Sequence, residues 1–299
     1  MALTACLPVD SPPSRTASPP PRPASAPVAT ITAKSEAARA YFAQVQQALL
    51  SQGLLRTDGG GADTPFTDRM LAENFVRIAL YDEYSRTPTG FTRSETSSVL
   101  RKWVAPVRVG LRFGDSVPED RRAADRARIS SYLARLSQLT GHSIALSENS
   151  PNFWVYMVSE DEREALGPRL SAALPGLSPG DIADVTQMPR STYCLVYAMS
   201  EGTSGVYTRA VAVIRAEHPD LLRLSCVHEE IAQGLGLPND SPRARPSIFN
   251  DDEEFALLTR QDELMLKMLY NPALQPGMTV DEARPIVERL AARMLGETG

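Results

Sequence analysis

Three patterns in the sequence predict an α+β fold. Apolar residues alternate with period two over residues 107–113. A long helical stripe follows and ends at Gly141. A run of strands then gives way to helices only. Together they describe one twisted mixed sheet with helices packed against it, preceded by a helical N-terminal part.

Residues 1–30 stand apart. They hold eight of the 24 prolines, mixed with Ser and Ala. Proline blocks helix and sheet, and such a stretch buries too little apolar area to offset its ordering entropy. A disordered Pro/Ser-rich tether is expected there. Residues 31–100 are read as the helical part. Ala38, Tyr41, Phe42, Val45 and Leu49 recur at helical spacing within 34–55, until Asp58-Gly59-Gly60-Gly61 breaks the pattern. A second helix fits 68–84, with Thr67 as N-cap and Leu71, Phe75 and Ile78 on its inner face.

Residues 101–299 are read as the main domain. In its first strand, Val107, Val109, Leu111 and Phe113 alternate with Arg108, Gly110 and Arg112. A helix then opens at Pro118-Glu119, with Ile129, Leu133 and Leu136 in its core stripe. Strands are expected at 144–146 and 153–158. A Pro- and Gly-punctuated insertion spans 160–189, with a helical piece at 162–174. Strands at 193–198 and 206–215 are close enough for a hairpin. Helices follow at 221–235, 259–270 and 280–295, the last opened by a Thr279/Glu282 capping box.

The composition excludes several classes. Of 299 residues, 42% are hydrophobic and 22% charged, which is a globular balance. No apolar run approaches the roughly 20 residues of a membrane span. A net charge of −5 argues against a broad nucleic-acid-binding surface. Three histidines are few for imidazole-based chemistry. His142 is read as a cationic group at a helix C-terminus, His218 as part of a turn and His228 as a helix-surface residue. Trp103 and Trp154 are read as core.

The three cysteines carry a second message. Leu3-Thr4-Ala5-Cys6 resembles a bacterial lipobox, where a leader is cut and the Cys is diacylated. Its position at the head of a Pro/Ser tether agrees with that reading, so Cys6 is the expected lipidation site. A basic and apolar leader is expected ahead of it. Lipidation of Cys6 leaves Cys194 and Cys226, and an oxidising compartment makes a disulfide their default.

The informative stretch is His228-Glu229-Glu230-Ile231-Ala232-Gln233-Gly234-Leu235-Gly236-Leu237-Pro238-Asn239-Asp240. Zinc peptidases place two His four apart on one helix face, with a Glu beside the first. With Glu230 as that Glu, Glu229 and Gln233 stand at the two His positions. Gly236 stands at the turn, Asn239 at the third ligand and Asp240 after it. Val227, Ile231 and Leu235 form an apolar stripe, leaving Glu229 and Gln233 on roughly the opposite face. The stretch resembles the metzincin motif. Ser247-Ile248-Phe249 stands where metzincins carry a Met-turn, with Phe for Met. The resemblance implies a zincin-like fold with a degenerate site.

A more specific resemblance covers residues 34–278. Cys226 to Asp240, Pro246 to Asp252 and Leu257 to Leu264 are similar to segments of an uncharacterised family of bacterial putative lipoproteins, domain of unknown function two-nine-two-seven. It implies an envelope lipoprotein without an established activity.

The chemistry of the motif then sets the functional expectation. Zinc prefers imidazole, thiolate or carboxylate. Glu229, Gln233 and Asn239 offer one carboxylate and two amides, so no metal and no cofactor are expected. Calcium accepts oxygen ligands, but the acidic run at 250–254 lacks EF-hand spacing. The expectation is a non-catalytic, lipid-anchored protein of the bacterial cell envelope, facing the periplasm. It would touch the membrane only through its anchor, bind no nucleic acid, and hold a peptide, glycan or envelope protein through Glu229, Gln233, Asn239 and Asp240. The alternative is a hydrolase using Glu230 with non-standard metal ligands or none. The two carboxylates, Glu229 and Glu230, are expected to need a donor beside them.

Overall fold

The computed structural model describes residues 31–87, 90–250 and 252–296. The tether expected over 1–30, with Cys6 in it, lies outside the described residues.

Helix α1 spans Ala33–Ser51 and α2 spans Asp68–Leu80. Thr67 caps α2, its hydroxyl accepting from the Met70 amide at 3.2 Å. The helix is shorter than the sequence pattern suggests. From Tyr81 the backbone turns extended and forms a hairpin, β1 (Tyr81–Thr87) with β2 (Gly90–Ser97), antiparallel.

A six-stranded sheet follows, built from β3 (Lys102–Trp103), β4 (Val107–Phe113), β5 (Ile144–Leu146), β6 (Phe153–Val158), β7 (Cys194–Ser200) and β8 (Val206–Arg215). Strands β8, β6, β4 and β5 lie side by side in that order and run parallel. The short β3 pairs parallel with the start of β8, and β7 runs antiparallel along β8. The sheet is therefore mixed and mostly parallel.

Parallel strands need crossovers, and helices supply them. Helix α3 (Glu119–Thr140) links β4 to β5 and ends at Gly141, whose φ of 68° is the left-handed conformation expected at that position. The insertion after β6 folds as α4 (Glu160–Glu164), α5 (Gly167–Ala173) and α6 (Pro179–Thr186). It covers one sheet face, where Leu166, Leu170, Leu174 and Val185 pack on Tyr156, Val158, Val211 and Val213. The other face carries the main core. Against it lie α3 and α7 (Asp220–Leu235), with α8 (Arg260–Leu269) and α9 (Val280–Gly296) behind. Helix α9 packs on α2, burying Ala283, Val287, Leu290 and Ala291. Trp103 is fully buried, whereas Trp154 is half-buried beneath the Arg112 guanidinium.

The buried charges of Glu160, Arg163 and Arg215 pair with one another. Glu160 receives both Arg163 and Arg215, and Arg215 also donates to the carbonyls of Met188 and Pro189. This network ties the α4–α6 insertion to the end of β8, where an uncompensated charge would be costly. No described helix is long and apolar enough to cross a membrane.

Candidate functional site

Helix α7 organises the site because its two faces have different chemistry. Val227, Ile231 and Leu235 are buried against the core, as their spacing predicts. Gly234 lets the helix approach the sheet. A Cβ there would stand 2.4 Å from Phe153 Cζ and 3.2 Å from Val196. The Trp103 indole donates to the Gly234 carbonyl at 2.8 Å, and the Tyr270 hydroxyl to the Leu235 carbonyl at 2.9 Å. Both bonds satisfy carbonyls that the end of a helix leaves open. Gly236 has φ 128°, and a Cβ on it would lie 2.3 Å from the Arg101 carbonyl oxygen. Only glycine fits that turn.

A disulfide joins Cys194, at the start of β7, to Cys226 on α7, with Cα atoms 5.9 Å apart. The pairing expected from cysteine count is present. It brings β7 against the polar side of the helix. One carboxylate oxygen from Glu229, one from Glu230 and the Cys194 sulfur lie within 4.8 Å of one another. The helical spacing from Cys226 to Glu229 and Glu230 carries this proximity, since residues three and four apart share a face.

The carboxylates differ in environment. Glu229 is half-buried. Glu230 is 3% exposed, and its Oε2 has no hydrogen-bond partner among the described residues. Burial, then the nearby Asp240 charge, pushes the Glu230 carboxyl well above the usual carboxylate range. Gln233 donates from Nε2 to Asp240 Oδ1 at 3.0 Å. Gln233, the donor expected beside Glu229 and Glu230, serves Asp240 instead. Asn239 is fixed to the end of α2, its Nδ2 donating to the Arg77 carbonyl at 2.9 Å and its backbone amide to that of Ile78 at 3.2 Å.

The zinc that a metzincin resemblance implies does not fit these residues. The amide nitrogens of Gln233 and Asn239 donate to Asp240 and the Arg77 carbonyl, so each side chain could offer a metal only its neutral amide oxygen. Amide oxygens are weak zinc donors beside a single carboxylate. Phe249, at the Met-turn position, is fully buried in the core.

Two of the three histidines differ from their sequence readings. His228 is buried, not on the surface. It stacks on Tyr132 at 4.0 Å, and its Nδ1 accepts from the Leu258 amide at 3.3 Å. Burial lowers its imidazole to about 3, which leaves it neutral and a weak base at neutral pH. His142 is no cationic cap. Burial lowers it, and its Nε2 lies 3.0 Å from the Ala105 carbonyl oxygen. His218 does sit in the turn before α7, completely buried beside Phe42, with Nδ1 3.7 Å from Cys226 Sγ. A buried cation that sequence reasoning did not single out is Lys102, whose Nζ donates to the carbonyls of Leu269 and Leu274 at 3.0 and 2.5 Å.

Fold and site together define a mixed α/β protein with a disulfide-tethered helix and an acid- and amide-lined face beside an antiparallel strand. A family model described as "Protein of unknown function (DUF2927)" matches residues 68–289, and the chain belongs to that family. The match begins at the first residue of α2 and ends inside α9, so it holds the whole sheet and the site. No curated protein and no solved structure matches the chain.

Proposed function

We propose that this chain is a non-catalytic binding protein of the bacterial cell envelope, with a zincin-like domain that holds an extended peptide segment of an envelope partner. The observation that carries this is β7. Among the described residues it pairs with no strand other than β8, and all seven of its residues are half-buried. Its first residue is bonded to α7 beside Glu229 and Glu230. A strand edge of this kind accepts an added strand through main-chain hydrogen bonds, with side chains supplying selectivity. A segment laid along β7 would pass Glu229, Gln233 and Asp240.

The zincin-like reading is supported by chain order. Four parallel strands, an antiparallel strand beside β8 and a helix directly after β8 agree with the expected arrangement. The envelope reading is supported by the disulfide, which suits an oxidising compartment. The anchor reading rests on the Cys6 motif alone.

The test is a display library of extended peptides against the purified chain, followed by calorimetry on the selected sequences. Selective binding that alternate backbone N-methylation of the peptide abolishes supports strand addition. Absence of any selected peptide, or binding indifferent to N-methylation, removes the reading. Stoichiometric zinc in untreated protein, or peptide cleavage lost in Glu230→Gln, would replace it with the hydrolase alternative.

A further inference from the structure

The Cys194–Cys226 disulfide lies beside the two carboxylates, and its sulfurs are two further metal donors held in covalent form. We infer that reduction of this disulfide creates a binding site for a divalent metal of the zinc class, formed by Cys194, Cys226, Glu229 and Glu230.

The geometry is specific. The Cys194 sulfur and one oxygen from each carboxylate fall within 4.8 Å of one another. Cys226, bonded to Cys194, lies outside that group with its sulfur 3.7 Å from His218 Nδ1, and breaking the S–S bond frees its side chain to turn toward the other three donors. In the oxidised protein neither sulfur is a thiolate, and two carboxylates alone make a poor site. In the reduced protein the set becomes two thiolates and two carboxylates, four donors of types that tetrahedral zinc accepts. This set shares only Glu229 with the Glu229–Gln233–Asn239 positions that do not fit zinc.

A second observation points to a ligand. Glu230 is 97% buried in this cluster with Oε2 unpartnered among the described residues. A buried carboxylate oxygen without a partner is costly, and a cation satisfies it. Glu230 and Cys226 stand one turn apart on α7, so the helix presents both from one face. Cys194 is half-buried, which leaves its sulfur the more accessible of the two.

The chemistry balances with a dithiol as reductant. A dithiol supplies two electrons and two protons. The Cys194–Cys226 S–S bond breaks, both sulfurs become thiols, and the reductant leaves as its own disulfide. The incoming metal forms two metal–sulfur bonds and displaces the two thiol protons to solvent.

Cobalt(II) is the probe, because tetrahedral thiolate ligation gives it charge-transfer and d–d absorption. Full-length protein is compared oxidised and after dithiothreitol, with the reductant removed anaerobically and the fold checked by circular dichroism. The expected result is one bound cobalt with thiolate charge transfer in the reduced protein, displaced by zinc, and none in the oxidised protein. Glu229→Gln and Glu230→Gln, with both cysteines intact, should each weaken binding to the reduced form by about tenfold or more. Equal binding by the oxidised protein would overturn the inference. So would full affinity in both glutamine variants, or loss of the fold on reduction before metal is added.

Discussion

Lys102 holds two separate pieces of backbone while largely out of water. Its ammonium donates to the last residue of α8 and to Leu274 beyond it, 5.8 Å from the Tyr270 ring, and its charge also lowers His142. Burial lowers Lys102 from 10.5 to about 8. Between those values the folded protein binds fewer protons than the unfolded chain, so stability rises with pH across the window. It is lost again as pH falls through 8, by an amount on the order of 3 kcal/mol. Urea denaturation of wild type and Lys102→Met from pH 7.5 to 10.5 measures this. The difference between the two should move in favour of the wild type as pH rises, and a constant difference would refute the assignment. Residues also show where the sequence stops being informative. Helical spacing leaves His228 on a surface, whereas Tyr132, 96 positions earlier, and Leu258 pack against it. Glu230 is similar: its neighbour Glu229 is half-buried, and nothing local distinguishes the two. The apolar stripe of α7 and the glycine at its end were legible because each is set by local geometry.

At the level of elements, the contact of α7 with the sheet depends on one missing methyl. Gly234→Ala gains about 1 kcal/mol of helix propensity. It also drives a Cβ into the fully buried Phe153 ring, an overpacking cost of about 1–3 kcal/mol. Net destabilisation is expected, and a thermal midpoint equal to or above wild type would show that Phe153 yields. Gly236→Ala should cost more, since its obstacle is backbone. The disulfide is the second device at this contact. It closes a loop with a sequence separation of 32, and opening it should lower the urea stability by about 4 kcal/mol on the chain-entropy model. Cys194→Ala/Cys226→Ala measures this, and an unchanged midpoint would mean that packing alone sets the contact. Strands with alternating apolar residues and helices with clear caps could be read directly. The hairpin of β1 and β2 could not, because Tyr-Asp-Glu-Tyr-Ser-Arg-Thr has no apolar alternation to mark it. Strand β3 is two residues long, too short for any periodic signal.

For the whole molecule, the anchor is the decisive open expectation. Expressed from its native locus, the protein should sediment with membranes, and Cys6→Ser should release it or block its processing. Two acyl chains give firm attachment where one gives marginal attachment. Recovery of the native form in the soluble fraction would remove lipidation from the account. One mixed sheet with helices packed against it was legible from the order of periodic segments, whereas the mostly parallel strand order was not. Which helices meet one another was not, because those partners are fixed by tertiary packing.

The pairing of α2 with α9 has a consequence in time. The two helices lie near opposite ends of the family region, yet each covers apolar surface of the other. During synthesis, Leu71, Phe75 and Ile78 emerge some two hundred residues before Val287 and Leu290. Until then that flank of the core has no cover, and pairings so distant in sequence form slowly. A nascent chain thus stays open on one side and vulnerable to aggregation until its last helix arrives. Folding to completion is then an event that follows synthesis.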